Sequence, residues 1–397
     1  MITTSFSGKK LFIPSIRQQT GKQIIKMNSI LYIGGFEMPD NNAAAQRVLS
    51  IAKALRLSGY SISFYGITKR GDINGIVDGF QYEAIPYPRG TKEWVSYAIG
   101  DGITDYICEK RPDIVIAYNY PFIAQERIIR YCRKNRIKVV GDITEWYMPS
   151  GIIRKLDTAF RMRWSNKHLD GIIAISKLLK EYYFGCNTVQ IPPIIDTNDR
   201  KWKQPLVNHN NDRIKLIYAG VPGVAKDRLD YIVKAIANVP HDNMVFNIVG
   251  ITNEQYYELY GYDLDLSKLP IVFHGRLSHN DTLQLLKASD FQIFIRPNLR
   301  VNNAGFPTKF VESMTAGIPV IMNRISNVED YLKDGYNGFL IAQPIESEIQ
   351  EALEKVLKLG RIAIDQMKSN CDREVFDYHR YSRALETFID GIVNDVN

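Results

Sequence analysis

The chain of 397 residues is 45% hydrophobic and 23% charged, a composition that is typical of globular proteins and excludes a disordered, collagen-like or low-complexity chain. Its length predicts two or three domains, each with a core of its own. The net charge of +7 is uneven, since residues 1–200 contain 28 Lys and Arg against 18 Asp and Glu, whereas residues 201–397 contain 22 against 25. The basic first half predicts an anionic partner, such as a membrane surface, a phosphorylated substrate or nucleic acid.

The first 26 residues are polar and basic and show no clear helical or strand period. We therefore predict that residues 1–26 form a loose tail, or that Met27, just before the first strand pattern, is the true start. From Ile30 onward, short apolar runs alternate with amphipathic helical patterns. In this first series, strands are predicted at 30–33, 61–67, 113–118, 138–143, 171–176 and 188–191, and helices at 43–58 and 123–135.

A polar segment with a proline, residues 197–212, interrupts the alternation and predicts a linker. After this segment the same alternation of strand and helix patterns begins again. In this second series, strands are predicted at 215–220, 244–250, 271–275, 291–296 and 319–323, and helices at 227–238, 278–289, 346–359 and 378–394.

Repeated strand–helix units predict parallel sheets that are covered by helices on both faces. Two such series predict an α/β protein with two Rossmann-like domains facing each other across a cleft, which is the expected place for a ligand. The predicted domains are residues 27–200 and 201–375, and the last helix, in residues 376–397, is predicted to return to the first domain.

The four cysteines lie far apart in the sequence, and no C-x-x-C pair occurs. This spacing argues against a zinc site or a disulfide framework and fits a reducing cytoplasm. No run of about 18 apolar residues occurs in the sequence, so we predict no transmembrane helix.

Two glycine-rich turns follow predicted strands. Gly34 and Gly35 end the first strand, but without the G-x-G-x-x-G spacing of a dinucleotide site, and an ordinary strand-to-helix turn is the alternative. In the second series, Gly220 and Gly223 precede Lys226. A glycine-rich loop followed by a lysine and a helix is suited to hold a diphosphate, and a solvated lysine is the alternative.

The segment 302–321, NNAGFPTKFVESMTAGIPVI, has the sharpest pattern in the chain. Its Gly-Phe-Pro turn at 305–307 predicts the start of a helix, because proline is favoured in a first turn. Free amides at such a start attract phosphate. Lys309 and Glu312 lie three residues apart, which places Lys309 to meet a phosphate and Glu312 a pair of ribose hydroxyls; a surface ion pair is the alternative.

This segment resembles the nucleotide-sugar signature of family 4 glycosyltransferases of group 1 type, which have the GT-B fold. The likeness spans about residues 28–395, with further support at 173–176, 191–196, 274–275 and 287–291. It implies that the first domain binds the acceptor, that the second binds the nucleotide sugar, and that the anomeric configuration is retained. The donor-binding residues that we take from this resemblance and from the turns are Gly34, Gly35, Arg47, Gly223, Lys226, Gly305, Phe306, Pro307, Thr308, Lys309 and Glu312.

Two departures from the family pattern concern the chemistry. Ala304 stands eight residues before Glu312, where the family often has a glutamate, and no histidine precedes His168. Asp142 and Glu145 follow at the end of a predicted strand, and we predict that one of them meets the donor or acceptor sugar as a catalytic residue. A helix cap and a solvated acid are the alternatives.

No D-x-D motif is flanked by a strand, because Asp263 and Asp265 lie in a polar loop. We therefore expect no metal and no cofactor, with the nucleotide diphosphate sugar as a substrate. In a metal-free reaction, Lys226 and helix amides are expected to stabilise the departing diphosphate.

Two basic clusters account for much of the charge in the first half, at residues 127–134 and 154–167. The second cluster interleaves cations with aliphatic and aromatic residues, as in helices that lie on an anionic membrane surface. An ordinary helix with solvated charges is the alternative. No nucleic-acid-binding module is recognised, so nucleic acid is not expected as a partner. We predict a cytoplasmic protein, peripheral on the inner face of the plasma membrane.

The sequence thus favours a retaining glycosyltransferase that moves a sugar from a UDP- or GDP-linked donor to a glycan or lipid-linked acceptor, in bacterial surface polysaccharide synthesis. Ala304 motivates one alternative, a non-catalytic protein of the same fold that binds a nucleotide sugar or a glycan. A nucleotide-sugar epimerase of similar two-domain shape is the other alternative.

Overall fold

The structure is a computed structural model that describes residues 28–40, 42–69, 72–203, 213–223 and 225–394. The predicted tail 1–26, the proposed start at Met27 and residues 204–212 of the predicted linker lie outside the described residues.

Eight strands of the described first part of the chain form one sheet, in the order β3-β4-β2-β1-β5-β6-β7-β8. All neighbours are parallel except β3, which runs antiparallel to β4. The strands are β1 (Ser29–Glu37), β2 (Ser61–Thr68), β3 (Asn74–Val77), β4 (Phe80–Pro86), β5 (Ile114–Tyr118), β6 (Lys138–Ile143), β7 (Gly171–Ala174) and β8 (Thr188–Gln190). The helices are α1 (Ala43–Leu57), α2 (Thr91–Ile99), α3 (Ile103–Lys110), α4 (Phe122–Lys134), α5 (Ile152–Arg163) and α6 (Lys177–Tyr182).

Six parallel strands of the described residues from 213 onward form a second sheet, in the order β11-β10-β9-β12-β13-β14. The strands are β9 (Ile214–Ala219), β10 (Met244–Val249), β11 (Ile271–Gly275), β12 (Phe291–Ile293), β13 (Val320–Asn323) and β14 (Gly338–Ile341). The helices are α7 (Leu229–Ala237), α8 (Asn253–Tyr260), α9 (His279–Lys287), α10 (Arg300–Ala304), α11 (Thr308–Ala316), α12 (Glu346–Leu357), α13 (Arg361–Ser369) and α14 (Tyr378–Asn394).

The central strands of both sheets are buried on both faces. Residues 30–33 of β1 and 114–117 of β5 are almost entirely covered by helices, which explains their continuous apolar runs. Two parallel, helix-covered sheets confirm the predicted α/β fold with two Rossmann-like domains. The predicted domain limits themselves stay a prediction.

The last helix returns to the first domain, as the fold prediction stated. The buried face of α14, with Phe388 and Ile389, packs in the same core as α1. The chain crosses between the domains twice, near Ile195 and again at residues 376–378. These two segments run side by side: the Ile195 amide donates to the Phe376 carbonyl at 2.9 Å, and the Tyr378 amide donates to the Ile195 carbonyl at 3.0 Å. Both crossings therefore form one paired connection between the domains.

The domains also contact each other at the bottom of the cleft. The Ser176 hydroxyl at the start of α6 donates to the Ala304 carbonyl at the end of α10, at 2.7 Å. The guanidinium of Arg300 lies 4.5 Å from the ring centroid of Trp146. These contacts bring the end of β6 next to the turn between α10 and α11. Among the described helices, none is both long and apolar enough to cross a membrane.

Candidate active site

A cleft of about 1640 Å³ lies between the two domains. Its first-domain wall comes from the segments that follow β1, β5 and β6 and from helices α2 and α5. Its second-domain wall comes from the loop at 225–226 and from residues 296–308. Ligands of open α/β sheets bind beyond the carboxyl ends of the strands, and this cleft lies at those ends in both domains.

The lysine of the predicted signature lies directly across the end of β9. A Cβ atom built on Gly220 would lie 2.5 Å from the Lys309 Nζ atom. Gly250 follows β10 and is packed just as closely, since a Cβ atom there would overlap the Gly220 carbonyl oxygen. Any larger side chain at position 220 would displace the ammonium group of Lys309.

Asp227 holds this lysine in place from a fully buried position. Its carboxylate accepts hydrogen bonds from Arg296 Nε at 2.7 Å and from the Tyr218 hydroxyl at 3.0 Å, and it forms an ion pair with Lys309. Burial opposes ionisation of Asp227, but Lys309 and Arg296 outweigh it and lower the pKa of this carboxyl to about 2. Lys309 and Arg296 share the single carboxylate of Asp227. This cation group of three side chains therefore keeps a net positive charge, which favours an anion beside it.

Lys226 provides a further cation on the second-domain wall. Its side chain is exposed to the cleft and forms no ion pair with any described residue. The side-chain amide of Asn302 donates to the Ala225 carbonyl at 3.1 Å and to the Pro297 carbonyl at 2.9 Å. This amide therefore fixes the loop of Lys226 against α10.

Helix α11 begins at the cleft with Thr308, after the N-cap residue Pro307. The amides of Phe310 and Val311 already bond to the Pro307 carbonyl, whereas the first amides of any helix lack an acceptor within the helix. Gly305, Phe306 and Thr308 line the cleft itself. The predicted phosphate-binding helix start therefore faces the cavity.

Glu312 lies one turn after Lys309 on α11 and is half-buried. Burial raises the pKa of its carboxyl, while Lys201 and Lys309 act against this shift. Glu312 lies beside the cation group but does not line the cleft cavity. Lys309, Pro307 and Gly223 do not line the cavity either. The structure thus brings Lys309 and Glu312 together at the end of β9.

The structure does not bring Asp142 to the surface of the cleft. Its side chain is fully buried behind the cleft wall, where it forms an ion pair with Arg47 at 2.8 Å and accepts a hydrogen bond from Tyr32 at 2.6 Å. The other terminal nitrogen of Arg47 donates to the carbonyls of Ile191 and Pro192. Arg47 lines the cleft, but its guanidinium group is engaged in tying α1 to β6 and to the end of β8. The carboxylate of Asp142 is therefore held by Arg47 and Tyr32 and does not line the cleft.

Gly34 and Gly35, which were predicted to end the first strand, lie within β1 and differ from each other. A Cβ atom on Gly34 would lie 2.7 Å from the Tyr118 Cβ atom, so this glycine is explained by packing between β1 and β5. Gly34 does not line the cleft, in contrast to its predicted donor-binding role, whereas Gly35 does. The start of α1, capped by the Asn42 side chain on the Ala45 amide at 2.8 Å, adjoins Gly35 on the same wall.

Glu145 is the predicted catalytic residue that reaches the cleft. A Cβ atom on Gly305 would lie 3.7 Å from the Thr144 carbonyl oxygen, so the end of β6 approaches the α10–α11 turn across the cleft. Burial and the neighbouring Glu145 raise the pKa of the Tyr147 hydroxyl above its usual range. The Glu145 carboxylate of the first domain and the start of α11 in the second domain therefore face the same cleft.

Sequence reasoning missed several residues of this site. Asp227 directly follows Lys226, but Tyr218 and Arg296, which lie 9 and 69 residues from Asp227, were not marked by any motif. Arg161 was predicted to lie on the outer surface, but its side chain is buried and lines the cleft. Among the described residues, no group of three or more His, Cys, Asp or Glu side chains is placed to hold a metal ion.

Comparison with known proteins points to one family. Residues 199–373 match the family model described as glycosyl transferases group 1. An uncharacterized glycosyltransferase, MJ1069, of Methanocaldococcus jannaschii is 25% identical over 256 residues, 57% of this chain and 60% of the relative. The UDP-Gal:alpha-D-GlcNAc-diphosphoundecaprenol alpha-1,3-galactosyltransferase of Escherichia coli is 27% identical over 179 residues, 41% of this chain and 42% of the relative. The matches thus span about two fifths to three fifths of these relatives.

A solved structure extends the likeness over both domains. The structure of Anabaena Alr3699/HepE in complex with UDP and glucose matches 92% of this chain and 100% of that chain, with a TM-score of 0.64 and 16% sequence identity. At this identity the likeness concerns the fold alone. The GT-B fold predicted from the sequence is therefore confirmed.

Proposed function

We propose that the protein is a retaining glycosyltransferase, since residues 199–373 match the family model of the group 1 glycosyl transferases and the two described domains have the GT-B fold. It moves a sugar from a nucleotide diphosphate sugar to a glycan or lipid-linked acceptor, in the synthesis of a bacterial surface polysaccharide. The donor is UDP- or GDP-linked, and the reaction needs no metal ion.

The cation group at the end of β9 is the observation that carries this proposal. Lys309 is anchored on Asp227, Lys226 stands unpaired by any described residue on the cleft wall, and the start of α11 faces the same space. Lysines and helix amides are the groups that hold a diphosphate. In the proposed site, Glu312, one turn along α11, accepts hydrogen bonds from ribose hydroxyls.

The proposed reaction uses this arrangement. The bond between the anomeric carbon and the diphosphate oxygen breaks, and the acceptor hydroxyl oxygen bonds to the same face of that carbon. A phosphate oxygen of the leaving group takes the hydroxyl proton, so no protein base is required. Lys226 and the amides of α11 stabilise the charge that develops on the diphosphate, and Glu145 contacts a sugar from the opposite wall.

Two of the compared proteins support the choice of substrates. The E. coli relative is named for a UDP-linked donor and a diphosphoundecaprenol acceptor. The Anabaena structure contains UDP and glucose. A uridine donor is therefore the first to test, with a lipid-linked acceptor as one of two acceptor classes.

A panel of UDP- and GDP-sugars tests the proposal, with release of the nucleotide by the purified protein as the measurement. Replacing Glu312 by glutamine (Glu312→Gln) is expected to weaken nucleotide binding about tenfold, because the hydrogen bonds of ribose to a charged acceptor are lost. The matched control is Glu351→Gln, an exposed glutamate of α12. Equal nucleotide affinity of the wild type and Glu312→Gln would show that the ribose site is misplaced.

The same panel separates the alternatives. Nucleotide binding without turnover, with glycan and lipid-linked acceptors both supplied, would favour a non-catalytic binding protein. A changed sugar nucleotide in the absence of any acceptor would favour an epimerase. Ala304, which motivates the first alternative, is fully buried, and its carbonyl accepts the Ser176 hydrogen bond. The described acidic residues that line the cleft are Glu145 and Asp157.

The outer side of α5 supports a peripheral position on an anionic membrane. Ile152 and Trp164 are 70% and 58% exposed at the two ends of this helix. The exposed cations Lys155 and Arg163 lie among them. Exposed apolar side chains next to cations favour the interface of anionic lipid.

Binding to vesicles measures this property. We expect sedimentation with vesicles that contain phosphatidylglycerol, weakened by salt, and no sedimentation with phosphatidylcholine alone. The double variant Lys155→Gln and Arg163→Gln should lose about 2 kcal/mol of binding free energy, roughly thirtyfold in affinity. The control is Lys355→Gln with Lys358→Gln at the end of α12, both exposed; equal losses in the two double variants would refute a specific role of α5.

A further inference from the structure

The first-domain wall of the cleft carries several large, exposed apolar side chains. Large hydrophobic side chains of α2, of the segment after β6 and of α5 line it and are 45–79% exposed. We name this wall the α2–α5 trough; its residues are Trp94, Val95, Met148, Ile153, Leu156 and Phe160. A contiguous exposed apolar surface marks a binding site, and here it is continuous with the cleft that contains Lys226.

A buried cation lies in the same wall. The side chain of Arg161 is 4% exposed, and one terminal nitrogen donates to the Asn119 carbonyl at 2.9 Å. Its Nε atom is buried without a hydrogen-bond partner, and Arg161 pairs with no carboxylate in the part of the chain that the structure describes. Its guanidinium lies 5.4 Å from the Tyr147 ring centroid.

A buried guanidinium without a counterion destabilises the folded state, because it has lost its hydration and has gained no opposite charge. Such a group in a binding cleft is explained when the ligand supplies the anion. Arg154, which is exposed and also lines the cleft, adds a second cation to this wall. The wall therefore complements a molecule that carries both an apolar chain and a negatively charged group.

We propose that the acceptor is a sugar linked to a lipid phosphate or diphosphate: its apolar chain lies in the α2–α5 trough, its phosphate is bound by Arg161 and Arg154, and a hydroxyl of its sugar receives the donor sugar. This inference rests on the proposed function and chooses between its two acceptor classes. A water-soluble glycan would leave the exposed apolar side chains of the trough in water and Arg161 without a counterion. The acceptor end that receives the sugar then points toward Lys226 and Gly305, where the donor is held.

Prenyl diphosphates of increasing chain length test this assignment without requiring the natural acceptor. Inorganic pyrophosphate, geranyl diphosphate and farnesyl diphosphate carry the same charged group, and their affinities can be measured by titration calorimetry on the full chain. Because each buried methylene contributes about fourfold in affinity, farnesyl diphosphate should bind at least tenfold more tightly than pyrophosphate, with geranyl diphosphate between them.

A matched pair of variants locates the binding of the chain. Ile153 is the second residue of α5 and 79% exposed, and Ile362 is the second residue of α13 and 88% exposed. Ile153→Asn should lower farnesyl diphosphate affinity about tenfold and leave pyrophosphate affinity unchanged, whereas Ile362→Asn should change neither. Equal effects of the two variants, or equal affinity for pyrophosphate and farnesyl diphosphate, would overturn the proposal.

Arg161→Met tests the anion site. We expect at least a tenfold loss of affinity for both pyrophosphate and farnesyl diphosphate, with an unchanged or higher melting temperature, since a buried charge without a counterion is removed. A lower melting temperature with unchanged affinity would show that Arg161 is structural and would overturn its assignment.

Two further measurements separate this proposal from other causes. If a second copy of the chain covers the trough, Ile153→Asn should change the oligomeric state in size-exclusion chromatography. The dependence of affinity on prenyl chain length would then stay unchanged, and this result would also overturn the proposal. UDP and GDP binding in the same preparations reports the donor site. Absence of UDP and GDP binding by the wild type would refute the proposed function. The dependence of affinity on prenyl chain length would remain a separate test of the acceptor assignment.

Discussion

Replacing Asp227 by asparagine (Asp227→Asn) should lower the free energy of unfolding by about 3–5 kcal/mol, the range measured when one partner of a buried ion pair is removed. The neutral amide would keep the shape of the side chain but leave Lys309 and Arg296 as two buried cations without a counterion. Lys309 would also lose its anchor at the end of β9. Nucleotide binding should therefore weaken together with stability.

The pH dependence of stability gives an independent check on Asp227. Folding lowers the pKa of this carboxyl from its ordinary value of 3.8 to about 2. The contribution of the ionised group is therefore complete above about pH 4 and is lost as the pH falls through 2. Urea unfolding between pH 2 and 7 should show this loss in the wild type and less of it in Asp227→Asn.

The matched control for Asp227 is Asp265→Asn, because the Asp265 side chain is 53% exposed in its ion pair with Lys268. Its loss should change the free energy of unfolding by less than about 1 kcal/mol. If Asp227→Asn is as mild as this control, the cation group does not depend on Asp227.

Replacing Lys226 by methionine should lower kcat about 100- to 1000-fold, the effect of removing one group that stabilises developing charge. The ammonium group lies on the cleft wall, unpaired by any described residue, and in the proposed reaction the diphosphate gains negative charge as its bond to the sugar breaks. The loss should therefore fall on kcat more than on KM. Stability should stay within about 0.5 kcal/mol, because the side chain is exposed.

Initial rates of nucleotide release, measured over a range of donor concentrations, separate kcat from KM for Lys226→Met. Lys226→Arg should recover part of kcat, because it restores the charge. The control is Lys268→Met, a lysine of the same domain whose side chain is 81% exposed. A normal kcat in Lys226→Met would place the leaving group elsewhere in the cleft.

The elements with long or buried patterns could be predicted from the sequence. The strand predicted at 30–33 lies within β1 (Ser29–Glu37), and the helix predicted at 378–394 coincides with α14. No element was predicted between residues 68 and 112, where the structure has β3, β4, α2 and α3. The reason is local: β3 is a four-residue edge strand with exposed residues, and α2 has no buried residue, so neither shows a clear apolar face.

The candidate site was predictable in its position but not in all its side chains. The signature at 302–321 predicted a helix start, and α11 begins at Thr308 beside the cleft. Asp142 and Glu145 could not be distinguished from the sequence, although they are three residues apart. Asp142 lies within β6 and faces inward onto Arg47, whereas Glu145 follows the strand end and reaches the cleft.

The sequence by itself determined the α/β class and the two Rossmann-like domains, because hydrophobic period and turn residues are local properties. The resemblance of residues 302–321 to family 4 glycosyltransferases implied the GT-B arrangement and the position of the donor site. Only the tertiary structure decided which charges meet. Asp227 and Lys309 are 82 residues apart in the chain, and Arg161 is part of a basic stretch in the sequence but a buried cleft residue in the fold. The same type of charged residue can be solvated in one environment and buried in another. Its role therefore depends on packing, which no local sequence pattern records.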